Sequence, residues 1–153
     1  MAICEQVIQE FWRRSAPLYE YAGLTVESAE NGVYRCRMPL NERTGNHMNT
    51  VHAAIQWAAA EVLGGIVGVA VLGTDLENFY GAVRSVSIEF LKPARTAIIA
   101  ETSFGEREAI RLKRLLSDGA EATWRLSAEI RDESGDIVAT SEAEYIIRPW
   151  RVA

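Results

Sequence analysis

The chain has 153 residues, 48% of them apolar and 24% charged, and its 21 Asp and Glu outweigh 16 Lys and Arg for a net charge of −5. At this size about 68–70% of the unfolded surface is buried on folding, so residues 1–153 read as a single domain with room for a core and a ligand pocket. An acidic chain whose largest basic stretch is Arg107–Arg114 excludes nucleic acid as a principal partner, because a phosphate backbone would be repelled.

In chain order, Ile3, Val7 and Phe11 recur at helical spacing beside Ile8 and Trp12, which predicts an amphipathic first helix over residues 3–14. Glu5 and Glu10 sit where a signal peptide needs an apolar stretch, so this segment is not expected to be one. Pro17 and Gly23 bracket a short second piece. Leu24–Ser28 and Val33–Met38 then read as strands around an Asn31-Gly32 turn, with Tyr34, Cys36 and Met38 on one face and Arg35 and Arg37 on the other. Asn41–Asn49 is polar, contains Gly45 and predicts a loop, after which Asn49 or Thr50 can cap a long apolar helix over about 51–73.

Asp75–Asn78 predicts a turn, Val86–Phe90 a strand and Ile98–Phe104 another; Ile110–Leu116 is compatible with a short helix or a loop. The clearest alternation runs from Ala120 to Arg131, with Ala122, Trp124, Leu126, Ala128 and Ile130 on one face, and Ser134-Gly135 turns the chain into a last strand over Ile137–Ile147. Runs of strands after a long helix define an α+β protein, not a βαβ series. A helix so apolar needs cover almost all round, which a curled antiparallel sheet wrapped around one long central helix provides. The segment Val51–Gly73 holds only His52, Gln56 and Glu61 as strongly polar residues. A carboxylate mid-span costs about 2.5–3.5 kcal/mol in a bilayer, and no Lys/Arg cluster flanks it, so a buried core helix is expected and no membrane partner. Cys4 and Cys36 make no disulfide framework and no metal-type spacing, which fits a reducing, cytoplasmic setting.

Glu61 is the most informative residue, because an acid inside an apolar helix must be paired, protonated or functional. Ile55, Leu63, Ile66, Val67 and Ala70 fall on the opposite side, whereas Ala54, Ala58, Gly64, Gly65 and Gly68 lie within about 60° of it. That nearly bare strip is expected to admit a ligand or another backbone. His52 precedes Glu61 by nine residues, about half a turn round and about 13.5 Å along a regular helix. If both serve one site, they come from two chains across a two-fold axis. Backbone N–H groups near His52 and Ala53 sit at the positive end of the helix dipole and suit an oxyanion. Gln56 reads as a structural hydrogen-bonder. Trp12, Tyr19, Tyr34 and Trp57 are candidates for shaping an apolar pocket.

The stretch Asn46-His47-Met48-Asn49-Thr50-Val51-His52-Ala53-Ala54, then Ala60-Glu61 and Gly64-Gly65, resembles the signature of hotdog-fold acyl-CoA thioesterases. It is most similar to the phenylacetate-degradation type, which has Asn, His-Gly-Gly six residues on, an acid nine residues after the His and a later strand ending in Pro-Ala. Phe90-Leu91-Lys92-Pro93-Ala94 matches that strand end; Ala53-Ala54 stands where those proteins have the glycine pair. The resemblance implies a hotdog fold and hydrolysis of an acyl-CoA thioester by a homodimer or dimer of dimers. Glu61 would be nucleophile or general base, the Ala53 N–H would polarise the carbonyl, Asn46 would position water or carbonyl, and His52 would orient the same region. Coenzyme A enters as part of the substrate, with no separate cofactor and no metal. Its phosphates would find their densest basic stretch at Arg107, Arg111, Lys113 and Arg114, although a solvated face paired with Glu106 and Glu108 is the simpler account of those residues. A non-catalytic acyl-binding hotdog protein and a hotdog hydratase or dehydratase are the alternatives.

Overall fold

The computed structural model describes residues 2–73, 76 and 78–150. Helices α1 (Glu5–Ser15) and α2 (Pro17–Ala22) lead into strands β1 (Thr25–Glu30) and β2 (Val33–Met38). A loop then reaches α3 (Ala53–Leu72), followed by β3 (Phe79–Phe90), β4 (Ile98–Ser103), α4 (Glu106–Ser117), β5 (Ala122–Arg131) and β6 (Ile137–Pro149). The strands form one antiparallel sheet in the order β1-β2-β4-β5-β6-β3, curled around α3 as a hotdog fold. Of the expected turn at 75–78, Asp75 and Glu77 lie outside the described residues.

Alternation explains the sheet. Tyr34, Cys36 and Met38 of β2 and Ala122, Trp124, Leu126, Ala128 and Ile130 of β5 are buried against α3, while Arg35, Arg37, Arg125 and Glu129 point to the outer face. That outer face is laced by cross-strand pairs such as Arg35–Glu101 and Arg125–Glu144. In α3, Ile55, Leu63, Ile66 and Val67 are buried as the spacing predicts, yet Ala58, Gly64 and Gly68 on the Glu61 side are buried too. Only the first turns, at Ala53, Ala54 and Trp57, are exposed.

Three elements depart from expectation, and a fourth, left open between helix and loop, is decided. The buried member of the first helix is Ile8, not Val7, because α1 lies along β1 and turns Ile8 and Trp12 inward. Strand β3 begins at Phe79, seven residues before the alternation becomes visible, and a bulge between Val83 and Ser85 breaks its period. The basic stretch is a full helix, α4, anchored by buried Leu112 and Leu116. The long helix starts at Ala53, with His52 rather than Asn49 or Thr50 as its cap.

The two edges of the sheet differ. At β1 the outward N–H groups are taken by α1: Gln9 Oε1 accepts from Val26 N–H (2.9 Å) and Glu5 Oε1 from Ala29 N–H (3.3 Å). At the other edge, twelve-residue β3 pairs with β6 on one side only, and no described strand pairs with the other.

Candidate active site

Glu61 sits mid-way along α3, half-buried, where three elements converge on it. From α2 the Tyr19 hydroxyl donates to Glu61 Oε2; from β6 the Tyr145 hydroxyl donates to the Glu61 backbone carbonyl (2.9 Å); from β2 the Cys36 thiol donates to the Ala59 carbonyl (3.4 Å). Burial raises the Glu61 carboxyl above its ordinary value, and the Tyr19 hydrogen bond pulls the other way. Both phenols are pushed upward, first by burial and then by the charge of Glu61, so both remain donors. Glu61 lies in the wall of a cavity of about 500 Å³ whose remaining lining is mainly aromatic and small, including Trp12, Trp124, Phe79 and Gly81. No Lys or Arg among the described residues lines it.

Two positions of the small-residue strip receive rings from within the chain, while Gly64, Gly65 and Gly68 also line the cavity beside Glu61, as a strip that admits a ligand would. A Cβ on Gly64 would come 2.1 Å from Cε1 of Tyr145, and one on Gly65 would come 2.5 Å from Cζ2 of Trp12. The glycines therefore admit two aromatic rings, and the cavity opens over Gly64, Gly65 and Gly68 beside those rings. Tyr145 in turn stacks on Trp124, their centroids 5.4 Å apart.

The other sequence-predicted residues gather at the start of α3. His52 is exposed and caps the helix, its Nδ1 accepting from Ala54 N–H (3.0 Å). The His52 N–H donates to the Thr44 carbonyl (2.8 Å), which corrects the expectation that it is available to an oxyanion. Between these two, the exposed Ala53 N–H makes no hydrogen bond among the described residues. Thr50 cannot cap because Asn46 claims it: Asn46 Nδ2 donates to Thr50 Oγ1 (2.8 Å), and Asn46 Oδ1 accepts from Met48 N–H (2.9 Å) and Thr50 N–H (3.1 Å). Asn46 is thereby the organiser of the loop that presents Ala53. Gln56 donates to the Val51 carbonyl (3.1 Å), as its structural reading expects, leaving its buried Oε1 without a partner among the described residues.

Asn46 and Ala53 share a shallow groove with Gln56, Phe90, Leu91 and Pro93; Glu61 belongs to the separate cavity. One chain thus divides the predicted constellation into two halves. Of the basic residues, Arg111 is committed to Glu108 (3.0 Å) and the Thr123 carbonyl (2.7 Å), whereas Arg107, Lys113 and Arg114 form no ion pair among the described residues. Lys113 borders a groove at the C-terminal end of α3 with Gly73 and Phe79. Among the described residues no three His, Cys, Asp or Glu converge as metal ligands. Of the four pocket-shaping candidates, Trp12 lines the cavity, Tyr19 reaches Glu61, Tyr34 is buried in the core and Trp57 is exposed.

The curled sheet and its central helix define a hotdog-fold protein. Residues 4–147 match the family described as a domain of unknown function, DUF4442, and the chain belongs to that family. A Pseudomonas aeruginosa structure, described as a protein of unknown function and probable thioesterase, is similar at 25% identity and TM-score 0.82, covering 98% of this chain and 99% of that one. A Haemophilus influenzae thioesterase shares the fold at 15% identity and TM-score 0.75, covering 97% of this chain and 93% of its own. A mutant thioesterase from Pseudomonas aeruginosa does so at 14% identity and TM-score 0.76, with 98% and 97% covered. No curated protein sequence matches the chain.

Proposed function

We propose that this protein is an acyl-CoA thioesterase that works as a homodimer or dimer of dimers, with Glu61 of one chain facing Ala53 of another. The observation that carries the reading is the position of the two half-sites on β3, an edge strand that no described strand pairs on its outer side. The Ala53 groove takes in Phe90 at the C-terminal end of β3, and the Glu61 cavity takes in Phe79, Gly81 and Val83 at its N-terminal end. Pairing two copies of an open edge antiparallel about a two-fold brings opposite ends together, so each Ala53 groove meets the partner's Glu61 cavity.

At such a site the thioester carbonyl accepts from the Ala53 N–H at the positive end of α3. As general base, Glu61 takes a proton from water, the hydroxide adds to the carbonyl carbon, and the adduct collapses to the acid. The C–S bond breaks, and the departing thiolate receives the proton back. A carboxyl raised by burial is suited to that exchange near neutral pH. The acyl group occupies the aromatic cavity. Exposed His52 orients the groove region, while Asn46 acts by shaping the loop. Arg107, Lys113 and Arg114 are available to the coenzyme A phosphates, and Arg111 joins them by exchanging Glu108. A cytoplasmic setting and the phenylacetate-degradation type belong to the same proposal, supported by the free cysteines and by the Asn46–His52–Glu61 spacing.

Thiol release from short, medium, long and aromatic acyl-CoAs tests the reading, with wild type and Glu61→Gln compared side by side. Turnover by wild type that falls at least about 100-fold in Glu61→Gln is expected, because the amide keeps the shape and lacks the base. No turnover across the panel, with acyl-CoA binding unchanged in Glu61→Gln, would instead establish an acyl-binding protein.

A further inference from the structure

We propose that Tyr19 is the positioning residue for Glu61: its hydroxyl fixes the carboxylate in one orientation and favours the charged, basic form. The inference deepens the thioesterase reading and rests on it.

Among the described residues the Tyr19 hydroxyl makes the only hydrogen bond to the Glu61 side chain, at Oε2, which leaves Oε1 for a proton from water. Among the described residues no cation lines the cavity, and the Tyr19 hydroxyl is the donor that opposes desolvation of the carboxylate. Its placement is built in. Pro17 opens α2 at its first turn and Gly23 closes it in the left-handed region (φ 73°), so the six-residue helix is bracketed on both sides. The Tyr19 carbonyl accepts from Leu24 N–H (3.0 Å), tying the helix to the start of β1. The Tyr19 ring stands edge-on to Trp12 at 6.1 Å, and Trp12 is seated on Gly65, one turn beyond Glu61. Helix α2 therefore presents a hydroxyl to the acid and little else.

Among the described residues, the groups facing Glu61 leave it as the one to titrate. From α2 comes Tyr19 and from β6 Tyr145, both pushed upward by burial and by the Glu61 charge. From β2, Cys36 lies within electrostatic reach of both phenols, its thiol pushed up to about 12 by burial. Helix α1 contributes Phe11, Trp12 and Ser15 to the lining, and β3 contributes Phe79, Gly81, Ala82 and Val83, none of which titrates. The acidic limb of a pH–rate profile consequently reports Glu61, and loss of the donor moves it upward.

The experiment is kcat and KM for the best acyl-CoA over about pH 5–9 in wild type and Tyr19→Phe. The expected result is a kcat lower by about 10-fold, KM within about two-fold, and an acidic limb displaced to higher pH. Replacing Tyr19 by 3-fluorotyrosine keeps the shape, strengthens the donor and displaces the limb to lower pH. It serves where Tyr19→Phe does not fold. Carbon-13 NMR titration of the Glu61 carboxyl, assigned by its loss in Glu61→Gln, reads the same displacements without turnover. An active enzyme whose limb and carboxyl titration are unmoved by either replacement overturns the positioning role. A wild type inactive on the whole panel overturns the thioesterase reading instead, whatever the carboxyl titration shows.

Discussion

Glu61 is held where a carboxylate is costly, and that cost has a sign. Burial raises its folded-state value above the unfolded 4.5, so the folded protein holds the proton more tightly. The associated stability is fully present below the unfolded value and is lost as pH rises through the folded one. Glu61→Gln removes this titration. Relative to wild type its Tm is expected to rise between about pH 4 and about pH 8, with the gain developing above the unfolded value; a constant Tm difference across that range would show that burial does not raise Glu61. At this scale the buried acid is legible in the sequence, since a lone Glu in an apolar helix must be paired, protonated or functional, and here it is paired with Tyr19. Tyr19 is legible only as an aromatic candidate, because its bond to Glu61 spans 42 residues and depends on how α2 is bracketed.

Among elements, α3 carries the packing that shapes the cavity. Gly64 has no room for a methyl group: the Tyr145 ring it meets is stacked on Trp124 and bonded to the Glu61 carbonyl, so it has nowhere to retreat. Gly64→Ala gains about 1 kcal/mol of helix propensity and meets an overpacking cost of about 1–3 kcal/mol. We expect a net loss of stability in urea unfolding and a weakened Trp124–Tyr145 near-ultraviolet dichroism signal; a more stable variant with that signal intact would contradict this packing. The strands that alternate cleanly, β2 and β5, are legible because one face meets α3 and the other meets water. The first half of β3 is not, since its bulge and Gly81-Ala82 erase the period. The helix cap is misread because Asn46 spends Thr50 on the loop, a competition between side chains that residue preference alone does not rank.

Over the whole molecule, the asymmetry of the sheet edges connects fold to chemistry. Helix α1 blocks β1 with Gln9 and Glu5, while twelve-residue β3 has no strand partner on its outer side among the described residues and carries one candidate half-site at each end. The half-turn between His52 and Glu61 already separates the halves in the sequence, but which strand would reunite them depends on the order β1-β2-β4-β5-β6-β3, which local periodicity does not encode.

The most direct test of a shared site is complementation. Ala53→Pro deletes the one N–H proposed as oxyanion donor at a first-turn position that tolerates proline, and His52 before it already has the extended backbone (φ −59°, ψ 142°) that proline demands. Glu61→Gln deletes the base. If each variant alone is inactive and the two are unfolded, mixed and refolded together, half of the dimers are mixed and half of their sites are intact. The shared-site account predicts recovery of about a quarter of wild-type turnover. A mixture that stays inactive, although its mixed dimers form, would place Glu61 and Ala53 in service of one chain and contradict the account.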